Sequence, residues 1–136
     1  MPSYLFPSFE ADYDAGRVDL AAGPLRVMLV AVGYRPLPEH ATRADVAGWE
    51  VTGLGYKAGG QLLNKRLVEG ALLADDLLWL RCSVRAAGGI VYQADGDEPL
   101  IGYVALKDDL GQEMPRESVR GEFLIQWPGG RVLELR

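Results

Sequence analysis

The sequence predicts an all-β domain of about eight short antiparallel strands, arranged as a β-sandwich or a jelly roll. Seventeen glycines and eight prolines divide the 136 residues into short segments, which is typical of sandwiches and barrels. Apolar residues at helical spacing are confined to one stretch, Leu72–Leu80. Between Val119 and Trp127, apolar residues alternate with mostly polar ones, which is the period of a half-buried strand.

The composition excludes several classes of protein. Apolar residues make up 49% of the chain and charged residues 24%, as in globular domains rather than disordered chains. We expect neither a membrane span nor a secretory signal, because long apolar runs and a basic start are missing. The net charge of −5 disfavours nucleic-acid binding. With only Cys82 and His40, we expect no disulfide, no zinc or His-pair metal site and no cofactor.

The first sixteen residues differ in character from the rest, so we divide the chain into an N-terminal arm (1–16) and a β-sandwich domain (17–136). Pro2 and Pro7 remove backbone donors and disfavour ladder pairing, which predicts an extended arm. Its aromatic side chains would form an adhesive patch if they were free, so the arm packs either on its own domain or on a neighbouring subunit. The candidate partner-binding residues are Tyr4, Phe6, Phe9 and Tyr13.

The clearest strand prediction covers Leu25–Val32, which is apolar on both faces. A strand of this kind is central and is covered on both sides. We expect another sheet on one side and an arm, a helix or a second subunit on the other. Thr42 is placed to cap a short helical turn over Arg43–Gly48.

Further short strands are predicted along the rest of the chain. Leu72–Leu80 suits either a helix or a strand, and we prefer a strand over Leu77–Cys82. Gly88 and Gly89 predict a turn or bulge, and Asp95–Asp97 predicts a tight hairpin. Lys107–Pro115 is expected to be a polar loop. The other predicted strands cover residues 50–52, 61–69, 83–87, 90–93, 99–106, 119–127 and 131–136.

No motif predicts a catalytic site, so we expect a protein that is not an enzyme. The acidic loop Asp95–Glu98 resembles a fragment of a calcium loop but lacks the full ligand spacing, which favours a hairpin. Gly53–Gly60 resembles a phosphate loop but lacks the Gly-Lys-Ser/Thr ending. Nineteen carboxylates offer no recognisable pair for a hydrolase. Cys82 is expected to be a buried, inert thiol.

The three tryptophans, Trp49, Trp79 and Trp127, admit two interpretations. Large aromatic residues dominate the cores of small domains, so we expect them to be buried. The alternative is a platform on which sugars stack, which would make the chain a carbohydrate-binding sandwich. That alternative requires the tryptophans to be exposed on one face or in one cluster of loops.

The segment VTGLGYKAGG at Val51–Gly60 resembles a stretch of small structural proteins from the virions of tailed phages. The similarity extends over about residues 16–136 and keeps the order of four further segments, at 74–79, 89–92, 99–105 and 123–133. The chain departs from the family in its arm, where relatives look helical and this sequence carries Pro2 and Pro7.

The resemblance implies a virion protein made in the host cytoplasm and placed on the capsid exterior. It implies first a capsid cement (decoration) protein that binds and stabilises the shell of major capsid protein. A head–tail connector or a tail component is the alternative. Self-association is expected, with a dimer as the default for a small symmetric assembly.

Overall fold

The computed structural model describes residues 3–20, 23–52, 56, 60–61, 65–68, 70–106, 116–125, 127 and 131–134. This part of the chain is mostly β-structure, which confirms the predicted fold class. The elements are β1 (Ser3–Leu5), α1 (Pro7–Asp14), β2 (Leu25–Val30), α2 (Arg43–Val46), a 3₁₀ turn (Ala47–Trp49), β3 (Gly60–Gln61), β4 (Arg66–Val68), β5 (Ala71–Leu73), β6 (Leu77–Ala86), β7 (Gly88–Gln93), β8 (Leu100–Ala105), β9 (Arg116–Ile125) and β10 (Arg131–Glu134).

These strands form three antiparallel sheets. The large sheet has the order β1-β8-β7-β2-β3, and the two small sheets have the orders β10-β5-β4 and β6-β9. Both small sheets pack on one side of the large sheet. Leu29 and Ile101 of the large sheet share a buried cluster with Leu72 of the three-stranded sheet and Trp79 of the two-stranded sheet. The fold is therefore sandwich-like.

Strand β2 is central and covered on both sides, as its sequence predicts. Val27 and Leu29 face the small sheets. Met28 and Val30 face a second cluster, which is covered by Phe6 from the arm and by Val46 from α2. Each fully buried side chain of this size contributes about 1.5–3 kcal/mol to folding, so cover on both faces strongly favours one position for β2.

The prediction of one strand over 61–69 is wrong in the part that the structure describes. Gln61 pairs with Arg26 of the large sheet, whereas Arg66 pairs with Leu73 of a small sheet. The chain therefore crosses between sheets here, and residues 62–64 lie outside the described residues. By contrast, the Leu72–Leu80 stretch does form strands, and β6 continues from Leu77 through the predicted 83–87 strand.

Gly88 and Gly89 do not form the predicted turn or bulge, because both lie within β7. A Cβ at Gly88 would lie 2.5 Å from the carbonyl oxygen of Val104, and one at Gly89 would lie 2.6 Å from Val27 Cγ1. Glycine is therefore required by the close approach of neighbouring strands. The predicted hairpin at Asp95–Asp97 is confirmed, since it joins β7 to β8, which pair with each other.

The arm is not extended throughout, and it is part of the domain's architecture. Tyr4 pairs with Tyr103, which makes β1 an edge strand of the large sheet. Pro7 then opens α1 at its N-terminal end. Proline is tolerated there because the first N–H groups of a helix have no partner within the helix. The expectation of an extended arm is therefore wrong over Pro7–Asp14, where the chain is helical.

The predicted helical turn after Thr42 is confirmed as α2 followed by the 3₁₀ turn. The Asp45 carboxylate accepts hydrogen bonds from the N–H groups of Ala41 at 2.9 Å and Thr42 at 3.1 Å. These bonds favour the charged form and lower the pKa of Asp45 below its usual value. The predicted loop at 107–115 lies outside the described residues.

Candidate functional site

An aromatic cluster lies on the side of the large sheet opposite the small sheets. Its centre is the buried Tyr34, whose ring centroid lies 5.7 Å from His40, 5.7 Å from Trp49 and 5.3 Å from Tyr103. Phe6 reaches the cluster from the arm, with its ring 6.3 Å from that of His40. Three distant segments and β8 therefore meet in one packed group.

The polar atoms of this cluster are bonded to each other. The Tyr34 hydroxyl lies 3.0 Å from His40 Nδ1, and the Leu37 N–H donates to the same nitrogen at 3.4 Å. Burial raises the pKa of Tyr34, and the neighbouring Tyr103 and Tyr4 raise it further. The hydroxyl therefore keeps its proton at neutral pH.

The outer edge of the aromatic cluster exposes apolar side chains, which we name the Trp49 surface. It consists of Val32, Leu37 and Trp49, and Trp49 is 40% exposed. Trp49 and His40 both pack on the buried Tyr34 ring, and the His40 N–H donates to the Leu37 carbonyl at 3.0 Å. Trp49 itself is attached to β2, since its carbonyl accepts from the Ala31 N–H at 2.8 Å.

A charged network fixes the chain on either side of Trp49. Arg43 Nη2 donates to Glu50 Oε1 at 2.7 Å, and the Tyr56 hydroxyl donates to Glu50 Oε2 at 2.7 Å. The Arg43 guanidinium also lies 5.2 Å from the centre of the Tyr92 ring. Burial alone would lower the pKa of Arg43, but Glu50, Tyr92 and Glu98 outweigh it and raise that pKa. These contacts therefore hold the chain on both sides of Trp49 in place.

A second exposed apolar group lies on the two-stranded sheet, and we name it the Leu78 surface. Leu78 of β6 is 47% exposed and Leu124 of β9 is 38% exposed, and the two residues are direct cross-strand partners. Their neighbours Leu77 and Ile125 point the other way, into the core. Leu78 and Leu124 therefore face outward together, away from the large sheet.

The structure divides the four predicted partner-binding residues. Phe6 is only 1% exposed and Phe9 is also buried, so both contribute to the core of their own domain. Tyr4 is partly buried, and Tyr13 at the end of α1 is 47% exposed. In this conformation, Tyr13 offers a partner the most surface of the four. The partner-binding role of these residues stays a prediction.

The remaining candidates are placed as follows. Trp79 and Trp127 are buried, so the tryptophans do not form one shared platform, and Trp49 is exposed on its own. Within the described ranges, no group of three or more His, Cys, Asp or Glu side chains is arranged to hold a metal ion. The Cys82 side chain and most of Gly53–Gly60 lie outside the described residues.

An open cleft of about 520 Å³ lies between α1 and the β7–β8 hairpin. Asp12 and Arg17 line it and pair with each other at 3.1 Å. Asp95 also lines the cleft, and its carboxylate accepts a hydrogen bond from the buried Gln93 side chain at 2.8 Å. The Gln93 amide also donates to the Arg17 carbonyl at 2.6 Å, which joins the arm side of the fold to the hairpin.

The sequence did not lead us to predict the Trp49 and Leu78 surfaces, although each contains an apolar residue at an unexpected position. Leu124 occupies the outward phase of the alternating pattern in β9, between Glu122 and Gln126, where a polar residue is expected. Val32 continues the apolar run of β2 beyond the end of the strand.

The comparisons with known proteins do not assign the chain to a family. None of the helices in the described ranges has the length and hydropathy that a membrane crossing needs. Comparisons with family models, with curated proteins and with solved structures gave no match for this chain.

Proposed function

We propose that the chain is a structural protein of a phage virion, a capsid cement protein that binds the shell of major capsid protein. The observation that carries the proposal is the pair of exposed apolar surfaces around Trp49 and Leu78. Contiguous apolar groups outside the core are characteristic of surfaces that contact other proteins. The resemblance of Val51–Gly60 and the later segments to virion proteins indicates which partner to test first.

A contact made by a few exposed apolar side chains can have a low affinity in one copy of the chain and still be sufficient for binding to a capsid shell. Each major capsid protein subunit in a lattice presents the same site, and a self-associated unit that reaches two such sites gains effective concentration at the second. The aromatic Trp49 is suited to such a contact because it combines a large area with few rotatable bonds. Tyr13 is the most exposed of the four predicted arm residues and offers a separate aromatic contact.

Electron cryomicroscopy of phage particles tests the role directly. Particles would be compared after growth with and without the gene for this chain. We expect density in many copies on the shell exterior, which disappears without the gene. A small ring at one vertex would show a connector or tail component instead, and unchanged particles would contradict a virion role.

Substitutions test whether the Trp49 surface makes the proposed contact with the capsid shell. Trp49→Ser should reduce the number of copies on the shell, whereas Ala11→Glu on the exposed face of α1 should leave it unchanged. Tyr13→Ser tests the arm. Removing residues 1–13 is less informative, because it would also take Phe6 out of the core and destabilise the domain.

A further inference from the structure

Strand β4 forms one edge of the three-stranded sheet, and within the described residues no strand pairs with its outer side. All three of its side chains are exposed, and the apolar Leu67 and Val68 are 44% and 43% exposed. Successive residues of a strand point to opposite faces, so β4 presents an apolar side chain to water on each face. Its hairpin partner β5 differs, because Ala71 and Leu72 are fully buried. β4 is therefore an uncovered apolar edge.

The backbone of β4 offers an outward donor and acceptor at Leu67. Val68 pairs with Ala71 only three residues further along the chain, and the pair that closes so tight a hairpin exchanges both of its hydrogen bonds. Bonded and non-bonded pairs alternate along an antiparallel ladder, so the next pair, Leu67 with Leu72, is non-bonded. The N–H and carbonyl of Leu67 therefore point away from β5. No hydrogen bond from the described residues reaches either group.

An edge of this kind is complementary to an extended strand, and two identical edges are complementary to each other. The N–H and carbonyl of one residue match the same two groups on an antiparallel strand. Two copies related by a two-fold axis at Leu67 supply these groups to each other, and two-fold dimers are the commonest oligomers. Arg66 then faces Val68 of the partner subunit, so within β4 no like charges lie directly opposite each other.

We propose that two copies of this chain form a symmetric dimer by antiparallel pairing of their β4 strands, with Leu67 opposite Leu67 of the partner subunit. The two three-stranded sheets then become one continuous sheet of six strands, an ordinary size. β4 contains no residue of the Trp49 or Leu78 surface, so the pairing uses neither of the surfaces assigned to the capsid shell. A strand of three residues buries less area than a standard interface, so we expect a dissociation constant of about 0.1–1 mM.

Opposite charges at residue 67 give a direct test, because the two-fold axis places this residue opposite itself. Leu67→Lys and Leu67→Glu each bring like charges together, so each variant alone should have a dissociation constant raised about tenfold or more. An equimolar mixture of the two brings opposite charges together and should form a heterodimer. Sedimentation velocity from about 10 µM to about 1 mM measures all samples. Ala11→Lys, on the exposed face of α1, is the control for added charge and should dimerise like the wild type.

Leu67→Pro tests the backbone bonds separately from the side chain. Proline removes the outward N–H but leaves the β4–β5 bonds, which are made by Arg66 and Val68. This variant should stay monomeric, whereas Leu67→Val keeps the N–H and should dimerise. Hydrogen exchange followed by NMR adds a readout on the unmodified chain. The Leu67 amide should exchange more slowly as protein concentration rises, while the Val68 amide, which is bonded within the hairpin, should not change.

Three outcomes would overturn the proposal. They are a wild-type chain that stays monomeric at about 1 mM, a charge mixture that stays monomeric where the wild type dimerises, and a folded Leu67→Pro variant that dimerises like the wild type. If circular dichroism shows that the proline variant is unfolded, the charge mixture and the exchange of the Leu67 amide decide. All of these measurements use the purified chain alone, so a failure here is distinguishable from a failure to bind the capsid.

Discussion

Arg43 and Glu50 form a 2.7 Å ion pair that closes the segment carrying α2 and Trp49 onto the large sheet. Glu50 is also bridged to Val30 of β2, and Tyr56 connects its own hydroxyl to both the Glu50 carboxylate and the Leu29 N–H. The Arg43 and Glu50 side chains are only 25% and 15% exposed, so water and salt screen their attraction less than that of a fully exposed pair. The position of the exposed Trp49 therefore depends on the ion pair between Arg43 and Glu50.

Arg43→Ala should lower the free energy of unfolding by about 1–2 kcal/mol, since it leaves a half-buried Glu50 without its cation. Urea denaturation followed by circular dichroism measures this change. Arg17→Ala is the matched control, because its pair with Asp12 is largely exposed on the arginine side. We expect less than about 0.5 kcal/mol there. Equal losses for both variants would contradict the structural role of Arg43.

Gly88→Ala should destabilise the domain by about 1–3 kcal/mol, because the new Cβ meets a backbone oxygen that cannot rotate away. Gly89→Ala should cost less, since its nearest atom belongs to the Val27 side chain. Gly48→Ala is the control, with no atom within 4 Å of the added Cβ. It should be neutral or stabilising by up to about 1 kcal/mol. Thermal melts would test this order of stabilities.

Asp45→Asn should lower stability by about 0.5–1 kcal/mol at neutral pH, since it weakens the cap of α2. The folded-state pKa of Asp45 is depressed, so the contribution of the carboxylate is present above its unfolded pKa of about 4. That contribution is lost as pH falls through the folded pKa. The free energy of unfolding of both proteins should be measured from pH 7 to pH 2. The difference between the two values should shrink at about pH 4 and below. A difference independent of pH would contradict the cap.

Quenching of tryptophan fluorescence by acrylamide should affect one residue strongly. Trp49 is 40% exposed, whereas Trp79 and Trp127 are 7% and 5% exposed. Trp49→Phe should therefore remove most of the quenchable emission, and Trp79→Phe should leave it in place. Strong quenching that survives in Trp49→Phe would contradict the placement of Trp49.

The same residues show what could be predicted for the candidate site. The arm was singled out because a free segment rich in aromatic residues is unfavourable in water. That argument does not say which aromatic side chains turn inward. Phe6 packs in the buried cluster that contains Met28 and Tyr34 and that exists only after the sheet has formed, whereas Tyr13 remains at the surface. Exposure is a property of the packed fold, so the site had to be found in the structure.

Local sequence patterns were sufficient to predict the β-character of the chain, the two-sided burial of β2, the capped turn after Thr42 and the hairpin at Asp95–Asp97. These features follow from local periodicity and turn chemistry, which act over a few residues. The folded structure was needed to show that Gly88 and Gly89 lie inside a strand, and that Leu78 and Leu124 meet on an outward face. Such features depend on which distant strand lies opposite, because the partner's backbone and side chains set both the available space and the access of water.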